Sequence, residues 1–283
     1  MSRFVDLHTH SHASDGTDSP EELVRLAAQA GLSAIALTDH DTLAGLDEAC
    51  LAGTRHGISV IRGCELASES PYGEVHFLGL WIPEHAPALE SALHGIREER
   101  MVRNRQILTK LCEAGMDVSM EEVLAEAGGE TIARPHIARV LVAKKYVSSV
   151  QDAFASLLGD GGSMFIPRAL PSPQEALVLL KNEGAVTVLA HPMLIKAPFS
   201  WLEKLVHGLA TEGLDALEAW HSDHDAAKVR TVTSMAKRYG LALSGGSDYH
   251  GGVKPFIQLG SGKGQLRIPW TVLEALQARR KPA

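Results

Sequence analysis

The sequence predicts an α/β fold, and more specifically a barrel of about seven strands with metal ligands at one face. Two observations support this: short apolar segments alternate with helical segments, and a His, Asp or Glu follows nearly every apolar segment. Several of the apolar segments are continuous, which is typical of strands buried on both faces. The predicted strands are VDL (5–7), AIAL (34–37), ISVI (58–61), VHFLGL (75–80), VTVLA (186–190), DALEA (215–219) and ALSG (242–245).

Helix start signals lie between the predicted strands. In the segment 19–22, Ser19 is a natural N-cap, Pro20 suits the first helical position and Glu22 would complete a capping box. The segment Ser-Pro-Gln-Glu at 172–175 repeats the pattern. Strands that alternate with helices pair in parallel, so the sheet is either a closed barrel or a doubly wound open sheet.

The residues that follow the strands favour the barrel. In a barrel, every strand end converges on the C-terminal face, whereas a doubly wound sheet brings together only those beside its switch point. His76 instead begins its strand, and we expect a hairpin across the turn 70–73 to place it beside the end of the preceding strand. The residues at the other strand ends are His8, His10, Asp39, His40, Glu65, His191, His221, Asp248 and His250.

The composition excludes several classes of protein. A formal net charge of −7 is the wrong sign for a protein that coats nucleic acid through bulk charge. No apolar run is long enough to cross a bilayer, and the first residues lack the apolar centre of a signal peptide, so we expect a cytoplasmic protein without membrane contact. Cys50, Cys64 and Cys112 are far apart, which argues against a disulfide framework or a zinc–thiolate site.

The segment 98–168 contains helical patterns and no convincing strand. We therefore predict a barrel domain formed by residues 1–97 and 169–283, with 98–168 inserted as a helical cap above its mouth. Arginines at 97, 100, 103 and 105 recur along its first helix, a spacing that usually marks a solvated face, although such a row could also guide an oligonucleotide.

The strand-end residues supply a ligand set of imidazoles and carboxylates without thiolates. Such a set suits a hydrolytic site for zinc, manganese or iron, in which carboxylates can bridge two ions. His8 and His10 alternate along a strand end, so both face the same side and could bind one ion. The candidate ligands are His8, His10, Asp15, His40, Glu65, His76, His191, Asp248 and His250.

These residues also stand in recognisable motifs. DLHTHSHASDG, LTDHD, GCE, the later His76, AHP and SGGSDYHG, in this order, resemble the motifs of the PHP family, named for polymerase and histidinol phosphatase domains. The resemblance implies a distorted (β/α)7 barrel with up to three divalent metal ions, with manganese favoured over zinc or iron. It also implies three ligand groups: His8, His10, Glu65 and Asp248; Glu65, His76 and His191; and Asp15, His40 and His250.

The activity implied by this resemblance is hydrolysis of a phosphate ester by a metal-activated hydroxide. Glu65 and Asp248 would then bridge ions. Protonation of the leaving group would fall to His191, Asp248 or a metal-bound water, and the sequence does not choose among them.

The substrate is indicated by two further segments. RPHIA in the insertion and EAWHSDH after the sixth strand resemble a PHP subgroup of 3′,5′-nucleotide bisphosphate phosphatases and 5′-to-3′ exoribonucleases. That resemblance implies a nucleotide substrate, extending to short 5′-phosphorylated RNA or DNA oligonucleotides. The sequence itself gives no sign of a stable protein partner, and we expect none. Arg134 could bind a second phosphate through its two-pronged guanidinium, with His136 and His221 as further substrate contacts.

Three alternatives remain open at this point: a phosphatase for another small ester such as histidinol phosphate, a C–N metallohydrolase on a similar barrel, and a non-catalytic accessory domain. The complete ligand set argues against the accessory domain.

Overall fold

A computed structural model describes residues 3–127 and 131–280, and its centre is one eight-stranded sheet. The strand order is β7-β6-β5-β4-β3-β2-β1-β8, in which neighbours in sequence are neighbours in the sheet. The strands are β1 (Phe4–Thr9), β2 (Ala34–Leu37), β3 (Ser59–Ser70), β4 (Gly73–Leu80), β5 (Val186–Leu189), β6 (Ala216–Trp220), β7 (Ala242–Gly245) and β8 (Ile268–Pro269).

The sheet curls into a nearly closed barrel, as the sequence predicts. Its pairs are parallel except that β4 is antiparallel to both neighbours and β8 is antiparallel to β1. The chain after β7 returns to β1, where the Asp248 N–H donates to the His8 carbonyl at 2.9 Å and the His10 N–H donates to the Tyr249 carbonyl at 2.9 Å. This closure gathers the strand ends at one face.

All seven predicted strands are present, and the β3–β4 hairpin differs from expectation in one respect. β3 does not end near Glu65 but continues to Ser70, and the turn contains only residues 71 and 72. His76 pairs with Ala67 in the antiparallel register. The hairpin therefore carries Glu65 and His76 to the same rim and then extends past the ladders with β2 and β5.

Helices cover the outside of the barrel and form the insertion. Ser19 and Ser172 cap α1 and α7 as predicted, but only α7 closes its capping box, because Glu22 in α1 binds Arg25 instead. The helices are α1 (Pro20–Gln29), α2 (Leu46–His56), α3 (Pro87–Glu113), α4 (Met120–Glu126), α5 (Arg134–Ala143), α6 (Val150–Ala153), α7 (Pro173–Asn182), α8 (Phe199–Thr211), α9 (Ala226–Tyr239) and α10 (Trp270–Gln277).

Helix α3 joins the two predicted domains. Its first turns bury Leu89 and Leu93 in the core that packs around the barrel, whereas Ile107 and Leu111 belong to a separate core within the insertion. The predicted boundary at residue 98 thus falls inside one continuous helix. The division into barrel and cap remains our prediction.

The arginine-rich face of α3 is not uniformly solvated, contrary to expectation. Arg100 and Arg103 are 7% and 3% exposed, while Arg105 is exposed. A helix face is not solvated where other parts of the chain pack against it: Arg100 pairs with the buried Asp41 at the barrel rim, and Arg103 donates to the neighbouring Asn104.

Across residues 3–127 and 131–280, none of the helices combines the length and the apolar character that a membrane crossing requires.

Candidate metal centre

The candidate ligands meet at the rim of the barrel. Each of three groups has ligand atoms within 4.8 Å of one another, and these groups share members. The groups are His8, His10, Glu65 and Asp248; His10, Asp15, His40 and His250; and His40, Glu65 and His76.

Glu65 lies at the centre of this cluster and is 1% exposed. Its two oxygens divide the surrounding imidazoles between them, so one carboxylate can serve two ions. Oε2 lies 3.1 Å from Nε2 of His8, 3.1 Å from Nε2 of His10 and 3.3 Å from Nδ1 of His40, while Oε1 lies 2.9 Å from Nδ1 of His76 and 3.0 Å from Nε2 of His191.

The two carboxylate oxygens of Asp248 also contact different side chains. Oδ1 faces His8 and His10 at 3.6 and 3.4 Å. Oδ2 lies 3.3 Å from Nε2 of His221 and 2.5 Å from the ammonium of Lys254. Lys254 was not singled out from the sequence, because a lone lysine in a loop carries no spacing signal.

The remaining predicted ligands complete one side of the cluster. Nε2 of His250 lies 3.3 Å from Asp15, and its ring stacks on that of His10 with centroids 4.1 Å apart. All nine sequence-predicted ligands therefore lie in one contiguous cluster. Their roles as metal ligands remain predictions.

Glu218 is a site residue that was not predicted from the sequence. It is fully buried in β6, with Oε1 2.9 Å from Nδ1 of His8 and Oε2 accepting the His191 N–H at 2.7 Å. The sequence does contain one indication of its role, which is a carboxylate inside an otherwise apolar strand. Because a Glu is rarely buried without a partner, such a residue is expected to pair with another polar group. Because Glu218 holds Nδ1, the other nitrogen of His8 is directed at Glu65.

The backbone at the site is strained at two positions. His191 and Asp248 have φ angles of 29° and 56°, a region that residues other than glycine rarely adopt. Gly246 permits the close approach of β7 to β1, because a Cβ there would lie 2.2 Å from the Cβ of His8. These features fix where Asp248 and His8 point.

The electrostatics favour ionised carboxylates in the cluster. Burial alone would raise the pKa of Glu65, but the nearby imidazoles, those of His8 and His76 among them, hold that pKa well below its usual range. Burial is likewise outweighed at Asp248, whose pKa is held well below its usual range chiefly by Lys254 and His250. Among the imidazoles, burial lowers the pKa of His40 to about 3, whereas neighbouring carboxylates outweigh burial at His10 and His76 and raise their pKa values to about 9 and about 10. Metal binds the deprotonated carboxylate and the neutral imidazole, so a bound ion would displace protons from His10 and His76.

The donor set fits divalent metal ions. Both ring nitrogens of His10 are buried without an aligned hydrogen-bond partner among the described residues, although Nε2 is within 3.1 Å of Glu65. Buried polar atoms are normally satisfied, so these lone pairs indicate a missing partner. Imidazole nitrogens and carboxylate oxygens without thiolates suit manganese, zinc or iron.

A group of arginines adjoins the cluster through Glu74. Oε2 of Glu74 lies 3.4 Å from Nε2 of His76 and 3.5 Å from Arg168, and Oε1 lies 3.4 Å from Arg134. Arg168 and Arg100 also pair with the buried Asp41, whose pKa they hold below its usual range against the effect of burial. We call Arg100, Arg103, Arg134 and Arg168 the arginine group.

The three predicted substrate contacts have different surroundings. Arg134 begins α5, with its guanidinium 5.9 and 5.7 Å from the rings of Phe154 and Phe165. His136 is 1% exposed, and its Nδ1 accepts the Ala133 N–H at 2.9 Å, which leaves Nε2 to carry the proton. His221 is fully buried against Asp248. Substrate contact by each of them remains a prediction.

Comparison with known proteins decides the family. Residues 6–182 match the family model described as PHP domain. The chain belongs to the PHP domain family. This confirms the resemblance carried by the histidine and aspartate motifs.

Several curated PHP relatives match most of this chain. A 5′-3′ exoribonuclease of Haemophilus influenzae is 34% identical over 88% of this chain and 91% of its own length. A phosphoribosyl 1,2-cyclic phosphate 1,2-diphosphodiesterase of Eggerthella lenta is also 34% identical, over 87% of this chain and 94% of its own. A 3′,5′-nucleoside bisphosphate phosphatase of Chromobacterium violaceum is 32% identical over 87% of each chain.

Solved PHP-type structures confirm the fold. A candidate metal-dependent phosphoesterase from Bifidobacterium adolescentis superposes with a TM-score of 0.89 at 30% identity, covering 100% of this chain and 98% of that one. Family membership and the ligand cluster together support metal-dependent hydrolysis of phosphate esters.

Proposed function

We propose that this protein is a metal-dependent phosphatase that removes the 3′-phosphate from nucleoside 3′,5′-bisphosphates. The observation that carries the proposal is the arginine group, which lies one carboxylate, Glu74, away from the metal-ligand cluster. A bisphosphate has two dianionic ends, and these two neighbouring sites are each suited to one of them.

The arginine group carries more positive charge than its partners neutralise. Three of its guanidinium groups pair with two carboxylates, Asp41 and Glu74, with Asp160 half exposed at 3.8 Å from Arg134, while Arg103 donates to the side chain of Asn104. Burial and the neighbouring guanidinium groups lower the pKa of Arg103. Uncompensated buried charge is costly, and a bound phosphate would offset that cost.

Unsatisfied donors indicate the same kind of ligand. The Nε atoms of Arg100, Arg103 and Arg168 are buried without a hydrogen-bond partner in the described part of the chain. Guanidinium donors in fixed geometry match the oxygens of phosphate. We therefore assign the phosphate that is not cleaved to this group, with Arg134 at its edge.

The metal-ligand cluster would hold the phosphate that is cleaved. Bound divalent ions, with manganese preferred, would supply water of lowered pKa and charge neutralisation of the phosphoryl oxygens. Glu65 and Asp248 would hold the ions in fixed positions. His191 lines the same cleft as these two carboxylates. Of the two side chains considered as the proton donor, Asp248 is the less suited, because its Oδ2 already accepts from Lys254.

Short 5′-phosphorylated oligonucleotides would use the same two sites, with a diester in place of the 3′-phosphate. The name of the Haemophilus influenzae relative is consistent with such substrates. The name of the Eggerthella lenta relative indicates that cyclic diesters also belong in the test.

The test is the ratio of kcat/KM values measured with manganese for 3′-phosphoadenosine 5′-phosphate, 3′-AMP, 5′-AMP, a 5′-phosphorylated dinucleotide, phosphoribosyl 1,2-cyclic phosphate and histidinol phosphate. We expect the bisphosphate to be preferred to 3′-AMP by at least tenfold. Equal rates with 3′-AMP, or a preference for the cyclic diester or for histidinol phosphate, would refute the assignment of the arginine group.

A further inference from the structure

The metal-ligand cleft is the cleft lined by Glu74, His76, His191, Ile195 and Asp248, and a second cleft of about 350 Å³ adjoins it. It opens between the tip of the β3–β4 hairpin and the chain that returns from the insertion, and we call it the hairpin cleft. Glu74 lines both clefts, and Ile195 of the first is followed in the chain by Lys196 of the second. The two clefts therefore border each other at Glu74.

The walls of the hairpin cleft are largely apolar. Tyr72 contributes from the hairpin, while Phe165, Ile166 and Leu170 contribute from the returning chain. The Phe165 ring already lies 5.7 Å from the Arg134 guanidinium. Apolar walls with an aromatic ring suit a flat aromatic group, which would gain both burial and stacking.

The charged residues of the cleft argue against a second phosphate there. Glu69 and Asp160 are exposed at its rim, where their carboxylates would repel a phosphate and could accept from N–H groups. The nearby guanidinium of Arg168 is turned to Asp41 and Glu74. The three carboxylates of the lining, from Glu69, Glu74 and Asp160, outnumber its two cations, Arg168 and the exposed Lys196, so a neutral group with N–H donors fits this arrangement better than an anion.

The position of the cleft relates it to the substrate. Glu74 borders the metal-ligand cluster through His76, the arginine group through Arg134 and Arg168, and the hairpin cleft itself. In a nucleoside bisphosphate, the ribose carries both phosphates and the base. We propose that the hairpin cleft binds the nucleobase of the substrate, with Phe165 as its stacking platform; this rests on the proposed function.

Equilibrium binding tests the cleft without requiring turnover. AMP and ribose 5-phosphate share the phosphate and the ribose, so the ratio of their dissociation constants, measured by calorimetry on the manganese-loaded protein, isolates the base. We expect AMP to bind at least about tenfold more tightly, as stacking on an aromatic ring commonly provides. Equal affinities would overturn the proposal.

Variants of Phe165 test whether this residue is the source of the tighter binding of AMP. Phe165→Ala should reduce the ratio to within about threefold of unity, and Phe165→Tyr should restore it. Phe256→Ala, at a ring that is 82% exposed and outside the cleft, should leave the ratio unchanged. If Phe165→Ala weakens AMP and ribose 5-phosphate equally, the residue supports the fold rather than the base.

Failure of the base-site proposal can be distinguished from failure of the proposed function. If no phosphate ester is hydrolysed but AMP retains its advantage and loses it in Phe165→Ala, the base site stands and the phosphatase assignment fails. If the bisphosphate is hydrolysed and AMP has no advantage, the phosphatase stands and the base site fails.

Discussion

Nδ1 of His8 lies 2.9 Å from Oε1 of Glu218, so a fully buried carboxylate sets the direction of a proposed metal ligand. The same carboxylate accepts the His191 N–H through its other oxygen. A carboxylate behind a ligating histidine fixes the tautomer and increases its basicity, and its loss typically costs about 10–100-fold in metal affinity or activity.

Glu218→Gln should therefore weaken manganese binding by roughly 10–100-fold while the fold is retained. The measurement is activity and bound manganese as a function of manganese concentration. Glu203→Gln, which alters a surface ion pair with Arg238, is the matched control. Unchanged manganese affinity in Glu218→Gln would show that the contact with His8 has no role in metal binding.

Removing a central carboxylate should have a larger effect. Glu65→Ala or Asp248→Ala should abolish measurable turnover and lower the metal content, because each carboxylate faces several imidazoles of the cluster. Metal content by atomic emission and phosphate release are the measurements, with the exposed Glu274→Ala as control. Near-normal activity in either variant would refute the metal centre.

Arg134→Ala should act on the second phosphate. We expect the loss in kcat/KM for 3′-phosphoadenosine 5′-phosphate to correspond to about 2–5 kcal/mol, because a desolvated charge pair is removed. The loss for 3′-AMP should be much smaller. Arg139→Ala on the same helix, where Arg139 pairs with Glu126, is the control. An equal loss on both substrates would instead assign Arg134 a structural role.

Gly246 should not tolerate a side chain. Gly246→Ala would place a Cβ 2.4 Å from the backbone nitrogen of His8, so we expect about 1–3 kcal/mol of lost stability together with reduced metal content. Gly95→Ala, in the middle of α3 with open space around it, should instead be neutral or stabilising by up to about 1 kcal/mol. Thermal unfolding measures both, and similar behaviour of the two variants would contradict the close approach of β7 to β1.

His136 should make stability depend on pH. Burial and the nearby Arg139 lower the pKa of His136 to about 4 in the folded protein. The contribution of the neutral His136 to the free energy of unfolding is therefore complete above the unfolded-state pKa of about 6.5, and it is lost as the pH falls towards 4. Between pH 7 and pH 5 this amounts to about 2 kcal/mol of the free energy of unfolding.

His136→Gln keeps an acceptor at the start of α5 and removes the titration. Urea unfolding at pH 7 and pH 5 should show a smaller loss of stability for this variant than for the wild type. His56→Gln, at an exposed histidine, controls for the removal of an imidazole. The same loss in His136→Gln and in the wild type would mean that His136 does not contribute.

The barrel and its ligand cluster could be predicted because the relevant signals are local. Apolar runs specify the strands, and residues at or shortly after the end of a strand must lie at the barrel mouth, so His8, His191 and Asp248 converge once the topology is known. β8 was missed because two residues of strand in a turn-rich segment carry no periodicity.

The residues that the sequence did not reveal depend on packing between distant segments. Arg100 repeats with other arginines along α3 and has the spacing of a solvated face, and only the contact with Asp41 shows that it is buried. Lys254 likewise gains its position from the closure of the chain after β7 onto β1. A single sequence contains no local pattern that records such contacts.

The most direct test of the central claim is to follow 3′-phosphoadenosine 5′-phosphate by phosphorus NMR during turnover by the manganese-loaded protein. We predict that the 3′-phosphate resonance is lost, that orthophosphate appears and that 5′-AMP accumulates unchanged. Formation of 3′-AMP, or an unaltered spectrum after prolonged incubation, would contradict the proposal that the metal cluster cleaves one phosphate while the arginine group holds the other.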